Sequence, residues 1–431
     1  MSGALVLLLA LGLLLVLGVP VAFALGLASA AALASQIATE PALVTVAQRS
    51  VTGLDSFSLL AIPFFVLSGE LLNRGGVARR LIAFGKALVG ALPGGMLVVD
   101  GVACLLFGSL SGSAVAATAA VGSFLVPRME RDGYPRSATT ALTMTASTTG
   151  LLIPPSNILI VYALASGGVS VAALFWAGYL PGILVGVLLV AAALLSNRRS
   201  LPRARRREPG ELGRATRGAL PALLLIVVVM GGITVGAFTA TEAAAVAVLY
   251  SLGLCALYRE IGVRELPDVF RQAAATSGVV LLLVATSMAM AWVLAFERVP
   301  QRVAETLLEA ASGAAGGWLV LLGINLLLLV AGTFLDMTPA VLIFTPLFLP
   351  VVSSLGFDPV HFGIILVLNL CIGLCTPPVG TVLFVGLGVG RLGLGELLPK
   401  LLPLYAAMIV ALVLVTAFPG LSLWLPRLLG L

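Results

Sequence analysis

The stretch "TASTTGLLIPPSNILIVYA", residues Thr145–Ala163, is apolar enough to lie in a membrane, yet two adjacent prolines interrupt it. Proline removes a backbone donor and its ring clashes with the preceding turn, so a helix interior disfavours such a pair. A second stretch, "NLCIGLCTPPVGTVLFVG", residues Asn369–Gly386, carries the same pair at its middle. The sequence therefore predicts two membrane helices that are each broken at a proline pair.

The composition indicates a membrane protein. The 431 residues are 60% hydrophobic and 10% charged, whereas soluble proteins are about half apolar and a quarter charged. Long apolar runs recur along the whole chain, which predicts an all-α polytopic membrane protein and not a barrel of short alternating strands. The first apolar run has no basic residue ahead of it, so we expect one or two retained helices that turn near Gly18 and Pro20, and not a signal peptide.

The positive charge is concentrated in loops. The segment "SNRRSLPRARRREPGELGRATRG", residues 196–218, holds eight arginines. Basic loops stay on the cytoplasmic side, so we interpret this segment as a cytoplasmic linker that fixes orientation and not as a nucleic-acid site. A switch that binds lipid headgroups is the alternative.

The two halves of the chain resemble each other. At a constant offset, prolines, glycines and one leucine coincide: Pro127 with Pro350, Gly133 with Gly356, Gly150 with Gly373, Leu151 with Leu374, Pro154 with Pro377 and Pro155 with Pro378. The loop at residues 127–137 carries three arginines, whereas the equivalent loop at residues 350–362 carries no lysine or arginine. Equivalent loops of different charge suggest opposite membrane faces, which is typical of an inverted-topology repeat.

We therefore predict a first half over residues 1–196, the linker over 197–218 and a second half over 219–431. Each half is expected to contain scaffold helices, an amphipathic arm at the membrane surface, a helix, a re-entrant hairpin, a broken helix and a closing helix. The arms are predicted within residues 75–95 and 296–317. An odd number of crossings in each half, with the linker inside, leaves both termini periplasmic.

The two hairpins are predicted over residues 105–127 and 331–350, and polar residues interrupt both. Irregular backbone at membrane depth must face protein or a cavity, so each hairpin tip is expected to lie against the broken helix of its own half. Freed carbonyls and hydroxyls suit a small hard cation, and half-helix N-termini suit an anion; a plain proline kink is the alternative. Asp336 is the strongest candidate for a functional residue, because a carboxylate in a membrane costs free energy and is usually functional. The alternative is that Asp336 caps a helix. Glu242 in "TATE" fits a capping box.

These motifs resemble the large membrane subunit of TRAP (tripartite ATP-independent periplasmic) transporters. The resemblance rests on "IPFFVLSGELLNRGG" (Ile62–Gly76), "FGSLSGSAVAATAAVG" (Phe107–Gly122), "LLIPPSNILIVYA" (Leu151–Ala163) and "GTFLDMTPAVLIFTPLFLP" (Gly332–Pro350), in order along essentially the whole chain. It implies a sodium-coupled, elevator-type importer of the bacterial inner membrane, surrounded by lipid. It also implies a small four-helix membrane subunit, and a periplasmic binding protein that delivers an organic acid such as a dicarboxylate, keto acid or sialic acid.

The resemblance implies a set of site residues, with sodium as the coupling ion and no cofactor. The first sodium site would use Ser109, Ser111, Ser113, Gly150, Ile153 and Pro155. The second would use Thr333, Asp336, Thr338, Gly373, Thr376 and Pro378. The substrate would be contacted by Ser156, Asn157 and Gly380. Asn157 and Gly380 are equivalent in the repeat, and their difference suggests that Asn157 serves the substrate or the packing of the hairpin rather than a symmetric ion site.

Other classes are less well supported by the sequence. A stand-alone carboxylate or oxyanion transporter would share the hairpins but need no binding protein. Hairpins that enter the membrane and return to the same side do not form a continuous pore, which argues against a channel. An enzyme is not expected, because no HExxH or GxSxG motif occurs, and an ATP-driven pump lacks its GxxxxGK[ST] loop. Cys371 and Cys375 are expected to be packing residues, because supporting ligands for a transition metal are missing.

Overall fold

The computed structural model describes residues 3–198, 201–202, 210–310 and 316–431, and within these ranges the chain is helical and contains no strand. The central part of the predicted linker lies outside the described residues. The first half of the chain forms ten α-helices: α1 Gly3–Val16, α2 Val21–Ala34, α3 Thr39–Leu54, α4 Ala61–Arg74, α5 Val77–Val89, α6 Gly95–Ser111, α7 Ala114–Arg131, α8 Arg136–Thr149, α9 Asn157–Ala165 and α10 Val171–Asn197.

The second half repeats this order of elements from its fourth helix onward. Its helices are α11 Glu211–Thr234, α12 Ala240–Tyr258, α13 Leu266–Phe296, α14 Val299–Ala310, α15 Gly316–Gly332, α16 Met337–Ser354, α17 Pro359–Gly373, α18 Thr381–Gly390, α19 Leu394–Ala417 and α20 Gly420–Leu428. Within the described ranges, seven helices are long and apolar enough to cross a membrane, or eight if the bent pair α8–α9 counts as one span.

The linker prediction needs a correction at its C-terminal end. The helix α11 begins at Glu211, inside the stretch 197–218 that was predicted to be a loop. Gly210 precedes it with a φ of 75°, a left-handed conformation that glycine adopts without strain. The basic residues Arg214 and Arg217 therefore lie on the first two turns of a helix, and the loop is shorter than predicted.

Several local predictions are confirmed. The chain turns between α1 and α2 at Gly18, whose φ is 77°, and at Pro20. Thr239 and Glu242 form the reciprocal capping box at the start of α12, a motif that satisfies two helix-end donors. The stretch 350–362 was predicted to be a loop, but its last residues, His361 among them, form the first turn of α17. His361 is buried there. Asp358 caps this helix and Pro359 is favourable at its first position.

The arm α5 is anchored by charge. Its 13 residues span about 20 Å, which is less than the ~30 Å hydrocarbon core of a bilayer. Arg79 and Arg80 both pair with Glu260 in the loop after α12, at 2.5 and 3.2 Å. The Arg80 guanidinium also stacks over the ring of Tyr258, 3.7 Å from its centroid, which adds a cation–π contact of about 1 kcal/mol.

Both predicted hairpins are present, with one difference from the predicted order. The first consists of α6 and α7, joined at Gly112, and the second consists of α15 and α16. We expected a separate helix between each arm and its hairpin. In the structure that helix is the first limb of the hairpin itself, because α6 runs without interruption from Gly95 to Ser111.

Both broken helices are also confirmed. The first comprises α8, a short 3-10 turn at Gly150–Leu152 and α9, with a bend of 47°. The second comprises α17 and α18, separated by residues 374–380. Each proline pair lies inside its break. The backbone N–H that proline lacks is not needed there, because the chain makes no helical hydrogen bonds at the break.

The two halves are interleaved at the centre. The half-helix α9 packs against α16 of the second half, and α18 packs against α7 and α8 of the first. Tyr162 Oη donates to the Pro359 carbonyl at 2.6 Å, and Cys371 Sγ lies 3.0 Å from the Thr148 carbonyl. The two helix breaks therefore lie back to back. Of the scaffold helices, α4 packs against α9, and α13 packs against α16 of the second hairpin.

Candidate functional site

A cavity of about 570 Å³ lies where both hairpin tips meet both broken helices. The scaffold helices α4 and α13 form its remaining wall. Its polar lining comes from all six elements: Glu70, Asn73, Arg74, Ser111, Ser113, Asn157, Gln272, Thr276, Asp336, Thr338 and Thr381. A cavity of this size accommodates a small organic molecule.

The tip of the first hairpin is a two-residue reversal built on Gly112. Its φ of 63° is left-handed, a conformation that glycine adopts without strain. A Cβ at this position would lie 2.6 Å from Nδ2 of the Asn157 side chain, so a larger residue would also displace that side chain. Ser113 caps α7, because its hydroxyl accepts from the Ala116 amide at 3.2 Å, so the turn leaves Ser111 and Ser113 facing the cavity.

The tip of the second hairpin presents Asp336. This residue occupies the N-cap position of α16, as the capping interpretation expected, but its side chain makes no capping hydrogen bond. Instead its Oδ1 accepts from Thr381 Oγ1 at 3.4 Å. Since Thr381 begins α18, the carboxylate joins the hairpin tip to the N-terminus of a half-helix and lines the cavity.

Each hairpin approaches its broken helix through a pair of glycines. A Cβ on Gly150 would lie 2.8 Å from the Cα of Gly108, and a Cβ on Gly373 would lie 2.5 Å from the carbonyl carbon of Gly332. Gly108 and Gly332 each belong to the first limb of a hairpin. The same backbone-to-backbone contact therefore occurs in both halves, although Gly108 and Gly332 do not coincide at the offset that aligns the breaks.

A hydroxyl residue follows each of these hairpin glycines. Ser109 follows Gly108 and donates to the Leu106 carbonyl at 2.9 Å, and Thr333 follows Gly332 and donates to the Val330 carbonyl at 2.8 Å. In the second break, Thr376 donates to the Ile372 carbonyl at 2.7 Å. A hydroxyl whose proton is engaged in this way still presents oxygen lone pairs.

The structure brings only some of the fifteen residues that the sequence singled out to the cavity. Five of them line the cavity: Ser111, Ser113, Asn157, Asp336 and Thr338. Ile153 packs instead against Gly182 of α10, and the hydroxyl of Ser156 donates to the Leu151 carbonyl. The amide of Gly380 donates to the Thr333 carbonyl at 3.1 Å. Pro155 is buried, whereas Pro378 is exposed.

The scaffold wall of the cavity was missed by the sequence analysis. On α4 it presents Glu70, Asn73 and Arg74, and on α13 it presents Gln272 and Thr276. The Arg74 guanidinium lies 3.4 Å from Gln272 Oε1. The polar run "GELLNRGG" at the end of an apolar helix could have indicated the contribution of α4 to this wall. Nothing in the sequence indicated that α13 lies opposite α4.

Paired hairpins and paired broken helices around a central cavity, in a chain of long apolar helices, define a polytopic membrane transporter. The fold agrees with a solved transporter. The YdaH transporter of Alcanivorax borkumensis matches with a TM-score of 0.62 over 88% of this chain and 89% of YdaH, at 16% sequence identity.

The sequence comparisons identify the family. The family model for the DctM component of the tripartite ATP-independent periplasmic transporter matches residues 7–421. The chain is 50% identical over 390 residues to the uncharacterized protein YgiK of Salmonella typhimurium, which covers 90% of this chain and 89% of YgiK. It is 42% identical over 379 residues to the C4-dicarboxylate TRAP transporter large permease protein DctM of Pseudomonas aeruginosa, covering 88% of each. The chain belongs to the DctM family and is a TRAP transporter large permease.

Proposed function

We propose that this permease imports an organic acid in symport with sodium, by an elevator movement of its two hairpins and broken helices against the scaffold. A periplasmic binding protein delivers the acid, and a small four-helix membrane subunit extends the scaffold in the bacterial inner membrane. The observation that carries this proposal is the central cavity, because its lining combines hairpin tips, half-helix ends and scaffold side chains.

The sodium sites are proposed at the two glycine contacts. There, Ser109 and Thr333 have their hydroxyl protons engaged by carbonyls, so their lone pairs are available to a hard cation. The first site would draw on Ser109, Ser111, Ser113, Gly150, Ile153 and Pro155, and the second on Thr333, Asp336, Thr338, Gly373, Thr376 and Pro378. Asp336 gives the second site a formal negative charge that the first site lacks.

The acid is proposed to bind in the cavity between these sites. The N-termini of α9 and α18 begin at Asn157 and Thr381, which both line the cavity, and helix N-termini favour a carboxylate. Arg74 adds a cation to the scaffold wall. The P. aeruginosa relative is named for C4-dicarboxylates, which supports a carboxylate substrate. Ser156 and Gly380 would act through the backbone next to the cavity, since neither lines it.

Uptake by the complete system tests the transport proposal. We expect proteoliposomes that contain this chain and its small subunit to accumulate a C4-dicarboxylate, or another acid from a carboxylate panel, when the binding protein is present outside and sodium is directed inward. The chain alone should remain at the level of empty liposomes, because no described segment forms a domain that could capture dilute substrate. Sodium-driven uptake by the chain alone would instead favour a stand-alone transporter.

Membrane orientation is a separate prediction. In the proposed inverted repeat, the C-terminal end of α7 at Arg131 faces the cytoplasm and the equivalent end of α16 at Ser353 faces the periplasm. Both residues are exposed, and the four native cysteines are buried. We expect a membrane-impermeant maleimide to label Ser353→Cys in intact cells, and to label Arg131→Cys only in inside-out vesicles. The unsubstituted chain serves as the background control, and labelling of both variants from one side would contradict the inverted repeat.

A further inference from the structure

A second cavity, of about 380 Å³, lies apart from the transport site. It is enclosed by the arm α5, the start of α6, the second limb of the first hairpin, α7, and the first two turns of α11. None of its lining residues also lines the central cavity. Its lining consists of Arg79, Ile82, Ala83, Lys86, Met96, Phe124, Arg128, Glu211, Arg214 and Ala215.

The charges around this cavity are strongly unbalanced. Four cations, Arg79, Lys86, Arg128 and Arg214, face a single carboxylate, that of Glu211. Arg79 is paired with Glu260 outside the cavity. Within the ranges that the structure describes, neither Arg128 nor Arg214 forms an ion pair. Like charges held together in this way repel each other, and a bound anion would relieve the repulsion.

The rest of the lining is apolar. Ile82, Ala83, Met96, Phe124 and Ala215 complete the cavity, and Phe124 remains 40% exposed. A cluster of cations beside exposed apolar side chains suits a molecule with an anionic head and a hydrocarbon tail.

We propose that this cavity binds the headgroup of an anionic phospholipid. The lipid comes from the membrane leaflet that lies next to these basic residues. The phosphate lies between Arg128 of the hairpin and Arg214 of α11, with Lys86 of the arm beside it, and the acyl chains run along Phe124. Basic pockets between membrane helices recognise lipid headgroups in this way. The lipid thus links the first hairpin to α11, and its binding stabilises that arrangement.

The proposal is tested with the purified full chain in detergent. Phosphatidylglycerol, phosphatidylcholine or inorganic phosphate is titrated while the thermal unfolding midpoint is followed. We expect phosphatidylglycerol to raise the midpoint in a saturable manner, and the other two to have little effect at the same concentration. Each lost cation should weaken the apparent affinity about five-fold, so that Arg128→Gln with Arg214→Gln weakens it about thirty-fold.

The matched control is Arg131→Gln with Arg217→Gln. It removes the same charge from the same two helices, at exposed positions that do not line the cavity, and it should bind phosphatidylglycerol like the unsubstituted chain. Arg128→Lys should also retain binding, because it keeps the charge. A cooperative unfolding transition of the double variant without lipid, at the midpoint of the unsubstituted chain, shows that its loss of binding is not misfolding. Equal weakening in the control pair would overturn the site. Equal stabilisation by inorganic phosphate would overturn the lipid assignment.

Discussion

Replacing Asp336 with asparagine is expected to weaken the apparent affinity for sodium in the uptake assay by between about ten- and a hundred-fold. The carboxylate lies at the tip of the second hairpin and faces both the cavity and Thr381. Asparagine keeps an oxygen of the same size but removes the charge, and an interaction with a charged group contributes about 1.5–3 kcal/mol. The measurement is initial uptake against sodium concentration in the complete tripartite system.

The control for this variant is Asp358→Asn. Asp358 is also a carboxylate at the N-cap of a helix, and its Oδ1 accepts from the Val360 amide at 2.8 Å. It does not line the central cavity. This variant should lose about 1 kcal/mol of stability or less while its sodium dependence stays unchanged. A sodium response in Asp336→Asn that matches the unsubstituted chain would reduce Asp336 to a structural residue.

Replacing Gly373 with valine is expected to separate the second hairpin from its broken helix. A Cβ at this position would lie 2.5 Å from the carbonyl carbon of Gly332 and 2.6 Å from its Cα. These are backbone atoms, so the clash cannot be relieved by a side-chain rotation. Overpacking typically costs about 1–3 kcal/mol and occasionally more, and we expect a lower unfolding midpoint, a lower yield of monodisperse protein and loss of any stabilisation by sodium.

Gly388→Ala is the matched control for Gly373→Val. Gly388 lies in α18, the other part of the same broken helix, and a Cβ there meets no atom within 4 Å. Alanine favours the helix by about 1 kcal/mol relative to glycine, so this variant should be as stable as the unsubstituted chain or slightly more stable. If Gly373→Val were equally stable and responded normally to sodium, the close contact between Gly332 and Gly373 would not be needed for the site.

Much of the architecture could be predicted from local chemistry. Proline pairs located both helix breaks, because proline cannot continue the helical hydrogen bonds on either side. Hydroxyls and glycine in an apolar run located the first hairpin tip, and Asp336 located the second. The capping box at Glu242 was predictable for the same reason, since every one of its hydrogen bonds joins residues close in sequence.

The sequence offers little indication of contacts between residues that are distant in the chain. The side chain of Ile153, for example, packs against Gly182, and no local pattern indicates which neighbour an apolar side chain will meet. The scaffold wall was missed because Arg74 and Gln272 are brought together only when α4 packs beside α13. The start of α11 was misjudged since its first turns are polar and do not extend the apolar pattern.

The sequence by itself determined that this is a membrane protein with two broken helices and two polar hairpin tips. Those features follow from hydropathy and from backbone chemistry, which act over a few residues. Only the tertiary structure decided that the two breaks lie back to back, that α9 and α18 each pack into the opposite half, and that α4 and α13 complete the cavity. These contacts depend on how helix surfaces fit together over long sequence separations. The same holds for the glycine pairs Gly108 with Gly150 and Gly332 with Gly373. Only the tertiary structure shows that the backbone of one glycine occupies the space that a side chain on the other would fill.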